Sequence, residues 1–285
     1  SVRLTFSRLD QPTPVDVTLQ YQNRTERDVE ASELPDLPGT LWVRVRKFAA
    51  ASGQQVRALL EDPPVSGSLR GVLLDLRGNH GGIIPEAVRL VEVLRRGGLI
   101  GRVRTRDATA AIAISRRQRR IIRVPVVLLV DRGCASACEF VTASLRDGMR
   151  VLVVGAPTFG KATMQESTSM KTSKARLMVT MAMFASPDDL PIQAFGVVPD
   201  LNFETNKEAA RPRGEAAMPF HLVPPPSKAK RTPLPGMAGI RSCWQAAGGA
   251  TVRGADPRLA QATVALKCLL QQQQPRVSAG SGPQK

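Results

Sequence analysis

The pattern of apolar and polar positions predicts a chain in which buried strands are connected by amphipathic helices. Two continuous apolar runs, VPVVLLV (124–130) and VLVVG (151–155), have the length and composition of strands buried on both faces. Between them, apolar and small residues recur at the spacing of one helical face: Ala137, Phe140, Val141, Ser144 and Leu145. Ser136 is therefore predicted at a strand-to-helix junction, where free N–H groups at the helix start stabilise negative charge.

Shorter patterns predict the remaining elements. GTLWVRVRKF alternates apolar and basic residues, as a half-buried strand does, and a short helix is predicted at 52–61. GVLLDLRG is a continuous apolar strand followed by a glycine loop, and PEAVRLVEVLRR predicts a helix with Pro85 in its first turn. Strands are also predicted at 175–185 and on both sides of a Pro-containing turn at 2–20. ADPRLAQATVALKCLL predicts a last helix that begins with an Asp-Pro cap.

Composition narrows the class of protein. The 285 residues are 42% hydrophobic, which is enough for one sizeable core or two small domains. The net charge of +16 suggests nucleic acid as a partner, but aromatic residues make up only 4% and no nucleic-acid-binding motif occurs. We therefore expect a solvated, arginine-rich surface and no nucleic-acid partner. No apolar run of 18 residues occurs, so no integral membrane segment is predicted.

Ser136 and Lys161 are the candidate nucleophile and base. A serine hydroxyl is a weak nucleophile until a base takes its proton. The chain has two histidines, His80 and His221, and neither follows a strand-borne acid, so lysine is the better candidate. A lysine acts as a base only when neutral, a state that burial among apolar groups favours. The flanking residues Phe159, Gly160, Ala162 and Met164 carry no charge.

Four sequence blocks resemble the carboxyl-terminal processing (tail-specific) serine proteases. They are GVLLDLRGNHGG (71–82), GCASACEF (133–140), GAPTFGKATMQ (155–165) and FGVVPDLNF (195–203). Their order and gaps follow the family pattern across residues of about 39 to 203. The resemblance implies an α/β (α+β) fold, a crotonase/ClpP-like protease core with a β-sheet and flanking helices, preceded by the remnant of a PDZ domain.

The resemblance also implies a set of site residues. Ser136 falls on the family's nucleophile, Lys161 on its base, and Gln165 on the residue that holds the lysine amine. If 161–165 is extended, the side chains of Lys161 and Gln165 lie on one face of the strand. The oxyanion of the tetrahedral intermediate would bind to the backbone N–H groups of Gly82 and Ala137, with Gly81 as a neighbour that permits the loop conformation. No cofactor and no metal site are predicted.

Other residues near these blocks have less specific interpretations. Alone, Ser136 would most simply be a helix N-cap, and Lys161 a surface lysine. Asp147 is expected to be structural, and His80, where the family usually has proline, is expected to be a loop residue. The basic cluster SRRQRR at 115–120 is expected to be a surface loop.

The cysteines are the main departure from the family pattern. Cys134 and Cys138 stand where the family commonly has Ser or Thr and Ser. They are interpreted as small-for-small replacements, with two alternatives: a disulfide across the nucleophile turn, which would make activity redox-sensitive, or a cysteine nucleophile that uses Lys161. In an oxidising compartment Cys243 and Cys268 are a further candidate pair, and the sequence does not fix the connectivity.

Five segments are expected along the chain. They are the C-terminal hairpin of a truncated PDZ domain at 1–24, the protease core at 25–205, a flexible linker at 206–236, a helical segment at 237–270 and a disordered tail at 271–285. An ordinary edge hairpin packed on the core is the alternative for the first segment. The resemblance implies the periplasm or cell envelope, although no signal segment occurs in this sequence.

The leading hypothesis is a serine endopeptidase with a Ser-Lys dyad. It would cut protein or peptide substrates with exposed C-termini, near that end, through an acyl-enzyme. Three alternatives remain: an inactive binding scaffold, an acyl-CoA-type enzyme on the related fold, and nucleic-acid binding through SRRQRR. The oligomeric state is not predicted.

Overall fold

The computed structural model describes residues 1–8, 11–21, 27–114, 122–149, 151–170, 175–204 and 214–273. The strands are β1 Val2–Arg8, β2 Gln11–Leu19, β3 Val29–Glu33, β4 Thr40–Val45, β5 Gly71–Asp75, β6 Gly98–Arg104, β7 Thr109–Ile114, β8 Val126–Val130, β9 Leu152–Gly155, β10 Thr163–Ser169, β11 Arg176–Ala185 and β12 Leu201–Asn202. The helices are α1 Ser52–Glu61, α2 Ile84–Leu94, α3 Ala137–Met149, α4 Met237–Ala246 and α5 Pro257–Gln273. A short 3₁₀ turn spans Glu215–Ala217.

A six-stranded sheet in the order β12-β9-β8-β5-β4-β3 forms the centre of the fold. Its strands are parallel except for β3, which pairs antiparallel with β4 at the edge. Both predicted apolar runs lie in this sheet, as β8 and β9, and every residue of β5, β8 and β9 is buried. Strands buried on both faces need apolar side chains at successive positions, which explains why these runs do not alternate with polar residues.

Helices cover both faces of the central sheet. Leu74 and Leu128 face a core formed with α1, α2 and α3, whereas Leu73 and Leu129 face a second core formed with α4 and α5. Because side chains alternate along a strand, the inner strands β4, β5, β8 and β9 contribute to both cores. The prediction of a β-sheet with flanking helices is confirmed.

A four-stranded antiparallel sheet in the order β10-β11-β6-β7 lies beside this core. It packs against α3, where the rings of Phe140 and Phe184 meet edge to face with centroids 5.9 Å apart. The strand predicted at 175–185 is β11, which pairs along its length with β10. Strand β10 of this sheet begins two residues after Lys161, so the sheet helps to position the candidate base.

The first segment forms a hairpin of its own, β1 paired with β2. Three cross-strand pairs, Val2 with Leu19, Leu4 with Val17 and Phe6 with Val15, place apolar side chains on one face. The two strands expected at 2–20 are confirmed. The hairpin's assignment to a PDZ domain stays a prediction.

The C-terminal helices belong to the fold of the core. Trp244 of α4 and Leu266 of α5 are buried against the central sheet, so the helices expected at 237–270 complete its second face. Residues 214–236, expected within a flexible linker, contact the core: Ser227 Oγ donates to the Asp189 carbonyl at 2.9 Å, and Arg231 pairs with Asp200. The SRRQRR cluster, residues 205–213 and residues 274–285 lie outside the described ranges.

Within those ranges, no helix combines the length and apolar character that crossing a bilayer requires. No three histidine, cysteine, aspartate or glutamate side chains of the described chain are grouped so that they could ligate a metal ion.

Candidate active site

Ser136 lies in a strained turn between β8 and α3. Its φ of +57° is left-handed, a conformation that costs a non-glycine residue roughly 1–3 kcal/mol and that recurs at functional sites. The N–H groups of Cys138 and Glu139, which a capping hydroxyl would bond, instead donate to the carbonyls of Ala135 and Ser136 at 3.1 and 2.9 Å. Ser136 is therefore not a side-chain N-cap, and its half-buried hydroxyl is available for other chemistry.

The glycine loop after β5 lies directly against this turn. A Cβ added to Gly81 would lie 2.9 Å from Ser136 Cβ and 2.8 Å from the Ala135 carbonyl oxygen, so only glycine fits. Gly81 and Gly82 have φ values of +96° and +138°, which glycine adopts without strain. The structure thus brings the predicted oxyanion loop to the predicted nucleophile.

Asn79 connects the two loops. Its buried side chain donates to the Val45 carbonyl at 2.9 Å and accepts from Gly81 N–H at 2.8 Å. Its backbone carbonyl accepts the Ala135 N–H at 3.0 Å. These three bonds fix the glycine loop relative to the nucleophile turn.

The two predicted oxyanion donors lack a hydrogen-bond acceptor among the described residues. Phe48 N–H bonds the Gly81 carbonyl and Ile83 N–H bonds the Phe48 carbonyl, which is the pattern of a parallel bridge and turns the Gly82 N–H away from Phe48. The N–H groups of Gly82 and Ala137 have no hydrogen-bond acceptor in the part of the chain that the structure describes. Both amides therefore remain available for a substrate oxygen.

Glu139 joins the nucleophile turn to the segment that carries Lys161. Its carboxylate accepts the N–H groups of Ser136 at 3.0 Å, Gly160 at 2.6 Å and Lys161 at 2.8 Å, and the Thr158 hydroxyl at 2.5 Å. The side chain is fully buried, and this burial raises the pKa of the Glu139 carboxyl to about 7 against the opposing effect of the four bonds. One buried carboxylate thus fixes both halves of the candidate dyad.

The side-chain amine of Lys161 is held less tightly than the Lys161 backbone. Its Nζ donates to the Thr163 carbonyl at 3.3 Å, and no hydrogen bond to Ser136 Oγ occurs among the described residues. Every ion pair in those ranges is formed by an arginine, so the Lys161 amine pairs with no carboxylate there. The amine is half-buried, in a segment whose backbone is fixed to the nucleophile turn.

Gln165 is not brought to the amine. Strand β10 begins at Thr163, and its pairing with β11 shifts register between Met164 and Gln165. The shift leaves the extra residue, Met181, in β11 and not in β10, and Gln165 is exposed. Lys161 precedes the strand and has no hydrogen bond to Gln165 in the described chain, and the expectation that an extended 161–165 places both side chains on one face stays a prediction.

Other residues near the site have structural contacts. Asp147, at the end of α3, accepts from Arg146 Nε at 2.6 Å and is almost fully buried. His80 is an exposed loop residue. Cys134 and Cys138 form a disulfide, which excludes a free cysteine nucleophile in this state, and Cys243 and Cys268 form a second one.

Two positioning residues were missed from the sequence, Glu139 and Asn79. The signal for Glu139 was present, because Ser136-x-x-Glu139 has the spacing of a capping box. Here only half of the box forms, the bond from Ser136 N–H to Glu139, and the serine hydroxyl stays out of it. Asn79 lies within the GVLLDLRGNHGG block, but nothing in the sequence indicated its partners.

The chain is similar to known processing proteases in sequence and, for one of them, in solved structure. It is 25% identical over 207 residues to a carboxy-terminal-processing protease of Bartonella bacilliformis, covering 71% of this chain and 47% of the relative. It is 30% identical over 190 residues to the chloroplastic carboxyl-terminal-processing peptidase 2 of Arabidopsis thaliana, covering 59% and 34%. The solved structure of a photosystem II D1 C-terminal processing protease matches with a TM-score of 0.56 and 26% identity, over 66% of this chain and 51% of that one.

The chain spans about half or less of the length of these relatives. The model of one family, Peptidase family S41, matches residues 39–203, more than half of the chain. That range contains the four sequence blocks, the glycine loop, the nucleophile turn and the lysine segment. The chain belongs to peptidase family S41.

Proposed function

We propose that this protein is a serine endopeptidase that cleaves protein substrates near their C-terminus, with Ser136 as nucleophile and Lys161 as general base. The observation that carries the proposal is the joint anchoring of the two segments by Glu139. This carboxylate bonds the backbone of Ser136 and that of Lys161 at once, beside two amides that lack an acceptor in the described chain. A serine with only a structural role would need neither this link to Lys161 nor the two amides beside it.

The proposed reaction begins when the neutral amine of Lys161 leaves the Thr163 carbonyl and takes the proton of the Ser136 hydroxyl. The alkoxide oxygen attacks the peptide carbonyl, and the N–H groups of Gly82 and Ala137 bind the oxyanion that forms. The protonated lysine then gives its proton to the leaving amine as the C–N bond breaks. The C-terminal fragment of the substrate is released, and the remainder stays bound to Ser136 as an acyl-enzyme. Water, deprotonated by the same lysine, hydrolyses the ester.

The fixed geometry supports the electrostatic part of this mechanism most strongly. Preformed donors aimed at developing charge need no reorganisation during the reaction, and each is typically worth a factor of about 10²–10³ in rate. Gln165 is assigned the smallest role, to hold the lysine amine after a movement of the exposed Gln165 side chain.

The proposed substrate class and cellular location are inferred from the relatives of the chain. Proteins named as carboxy-terminal processing proteases match over 60–71% of this chain, which supports protein substrates cut near that end. We place the protein in the periplasm or cell envelope, as its family resemblance implies. The two disulfides agree with an oxidising compartment.

Digestion of an unfolded protein tests the proposal directly. The intact chain and its Ser136→Ala variant are incubated with a reduced, alkylated substrate protein, and the fragments are identified by mass spectrometry. We expect internal cleavages concentrated towards the substrate C-terminus with the intact chain and none with the variant. Fragments produced equally by both proteins, or by neither, would contradict the proposal, the second outcome favouring an inactive scaffold.

A further inference from the structure

One of the two disulfides encloses the proposed nucleophile. Cys134 and Cys138 are joined two residues before and two residues after Ser136, with their Cα atoms 5.5 Å apart. The other disulfide joins Cys243 of α4 to Cys268 of α5, on the second face of the central sheet. All four cysteines are thus paired, but only one pair lies at the candidate site.

The enclosed segment is the junction at which the parts of the site meet. The Cys134 carbonyl accepts the N–H of Phe159, in the lysine segment, at 3.0 Å. The next residue, Ala135, donates its N–H to the Asn79 carbonyl, in the glycine loop, at 3.0 Å. A shift of this short ring would therefore displace the nucleophile relative to both of its neighbours.

The ring also contains the strained residue. Ser136 keeps a left-handed φ of +57°, which persists only where the surrounding structure enforces it. A covalent bond between Cys134 and Cys138 removes much of the freedom by which this turn could relax. The serine hydroxyl is itself not held by a capping bond, so the backbone conformation, which sets the position of Ser136 Cβ, limits where the hydroxyl can reach.

We propose that Cys134 and Cys138 are positioning residues that hold the Ser136 hydroxyl through their disulfide, and that a dithiol reductant therefore lowers the peptidase activity. The inference rests on the proposed function of Ser136. It makes the activity dependent on the redox state of the surroundings, high where disulfides persist and low where thiols are kept reduced.

The redox step is a thiol–disulfide exchange. A thiolate of the reductant attacks one cysteine sulfur, forms a mixed disulfide and releases the other cysteine as a thiolate, which takes up a proton. The second thiol of the reductant then displaces the first cysteine in the same way. The protein disulfide gains two electrons and two protons, and the reductant becomes a cyclic disulfide.

The two disulfides differ in their access to a reductant. Cys134 and Cys138 are fully buried, so the nucleophile turn must open before exchange can occur. Cys243 is partly exposed, although its partner Cys268 is buried. We expect Cys243–Cys268 to be reduced first and without loss of activity, which provides a control within the same molecule.

The contacts of the two buried sulfurs suggest a rescuing substitution. Cys138 Sγ lies 3.7 Å from the Leu76 carbonyl oxygen, and Cys134 Sγ lies 3.8 Å from Thr142 Oγ1. Serine hydroxyls at these positions could hydrogen-bond to the same two neighbours and anchor the turn without a covalent bond. Alanine at both positions could form neither the bond nor the contacts.

The first experiment titrates the full chain with dithiothreitol. Alkylation and mass spectrometry count the reduced pairs, and rates are measured with a peptide substrate that lacks cysteine. We expect no change while Cys243–Cys268 opens, a fall of about tenfold in kcat with little change in KM as Cys134–Cys138 opens, and recovery on reoxidation. An unchanged or increased rate after reduction of Cys134–Cys138 would overturn the inference.

Cysteine variants test the positioning role of the Cys134–Cys138 disulfide if this buried bond resists the reductant. The pair Cys134→Ala and Cys138→Ala should lose about tenfold in kcat, and the pair Cys134→Ser and Cys138→Ser should recover most of that loss and no longer respond to dithiothreitol. The control pair Cys243→Ala and Cys268→Ala should keep the wild-type rate. Circular dichroism verifies that each variant is folded, and wild-type activity in a folded alanine pair at 134 and 138 would overturn the inference.

The outcome separates this inference from the proposed function. If the oxidised wild type does not cleave the peptide at all, the proposed function fails. If the oxidised protein is active and reduction of Cys134–Cys138 leaves it so, the proposed function stands and the positioning role fails.

Discussion

The nucleophile turn and the lysine segment form two halves of one candidate site, and they differ in how firmly their reactive atoms are held. On the nucleophile side, Asn79, Gly81 and the Cys134–Cys138 bond fix the backbone around Ser136. On the lysine side, Glu139 fixes the Lys161 backbone, but the amine forms a single hydrogen bond within the described chain, of 3.3 Å, to the Thr163 carbonyl.

This difference indicates which part of the chemistry is prepared in advance. Little movement is needed to bring the Ser136 oxygen and the two amides to a substrate carbonyl, because their backbone positions are already set. The amides, those of Gly82 and Ala137, have no acceptor in the described chain. The amine must rotate before it can take a proton from Ser136. We therefore expect oxyanion stabilisation to be built into the fold and proton transfer to depend on side-chain motion.

The largest effect is expected from removal of either member of the dyad. Ser136→Ala and Lys161→Met should each reduce kcat by roughly 1,000-fold or more, and the double variant should lose little beyond the single ones, since the two groups act as a unit. Steady-state cleavage of a peptide substrate measures this. Independent, multiplicative losses would show that the residues do not act together.

The next effect concerns the oxyanion loop. In Gly82→Ala the new Cβ would lie 2.3 Å from the Phe48 carbonyl oxygen, so the loop must shift and move one donor, with a loss of about 10²–10³ in kcat. Gly78→Ala is a matched control in the same loop, since Gly78 also has a positive φ, +68°, but open space around its Cβ position. Equal losses in the two variants would indicate general strain and not a displaced donor.

Glu139→Gln should cost about 10–100-fold in kcat, because one carboxylate oxygen becomes an N–H₂ group that faces backbone donors. Its control is Glu86→Gln, which alters a similarly buried glutamate that accepts the Gly53 N–H at 3.0 Å and whose hydrogen bonds within the described chain include neither Ser136 nor Lys161. Similar activity losses in both variants would exclude a specific role for Glu139.

The titration of Glu139 provides a separate pH test. Its pKa of about 7 in the folded chain lies above the ordinary value of 4.5, so the folded protein keeps a proton that the unfolded chain releases between these two values. The contribution of Glu139 to stability therefore falls as pH rises from 4.5 to 7. Urea unfolding across this range should show a shallower decline in Glu139→Gln than in the wild type, and identical slopes would contradict the shift.

The smallest effect is expected at Gln165. Because this side chain is exposed beyond the bulge, Gln165→Ala should reduce kcat by only about 2–5-fold, comparable with the loss of one neutral hydrogen bond. Ser167→Ala, two residues along the same exposed strand, is the control. A loss as large as that in Lys161→Met would show that Gln165 holds the amine throughout the reaction.

The sequence predicted the elements that depend on continuous or periodic apolar patterns. Strands β8 and β9 and the helix α3 are buried along one or both faces, so their sequences record the packing directly. The glycine pair was predicted from the family resemblance, and its physical reason is steric, because a Cβ at Gly81 would lie 2.9 Å from Ser136 Cβ and a Cβ at Gly82 would lie 2.3 Å from the Phe48 carbonyl oxygen. These features follow from local sterics and burial.

The rest depends on contacts between distant parts of the chain. Glu139 bonds Thr158, Gly160 and Lys161 across some twenty residues, and no local pattern indicates such partners. Strand β10 begins only at Thr163, where its pairing with β11 starts, so Lys161 lies outside the strand that the sequence suggested for 161–165. The C-terminal helices pack on the central sheet, where composition had suggested a separate segment beyond a linker.

The proposed Ser136–Lys161 pair is tested most directly by the rate at which a fluorophosphonate probe labels Ser136, followed by mass spectrometry in the oxidised wild type and in Lys161→Met. We expect rapid labelling at Ser136 in the wild type and almost none in the variant, with circular dichroism spectra that coincide. Labelling at the same rate without the lysine amine, or labelling at a different residue, would contradict the Ser136–Lys161 pair.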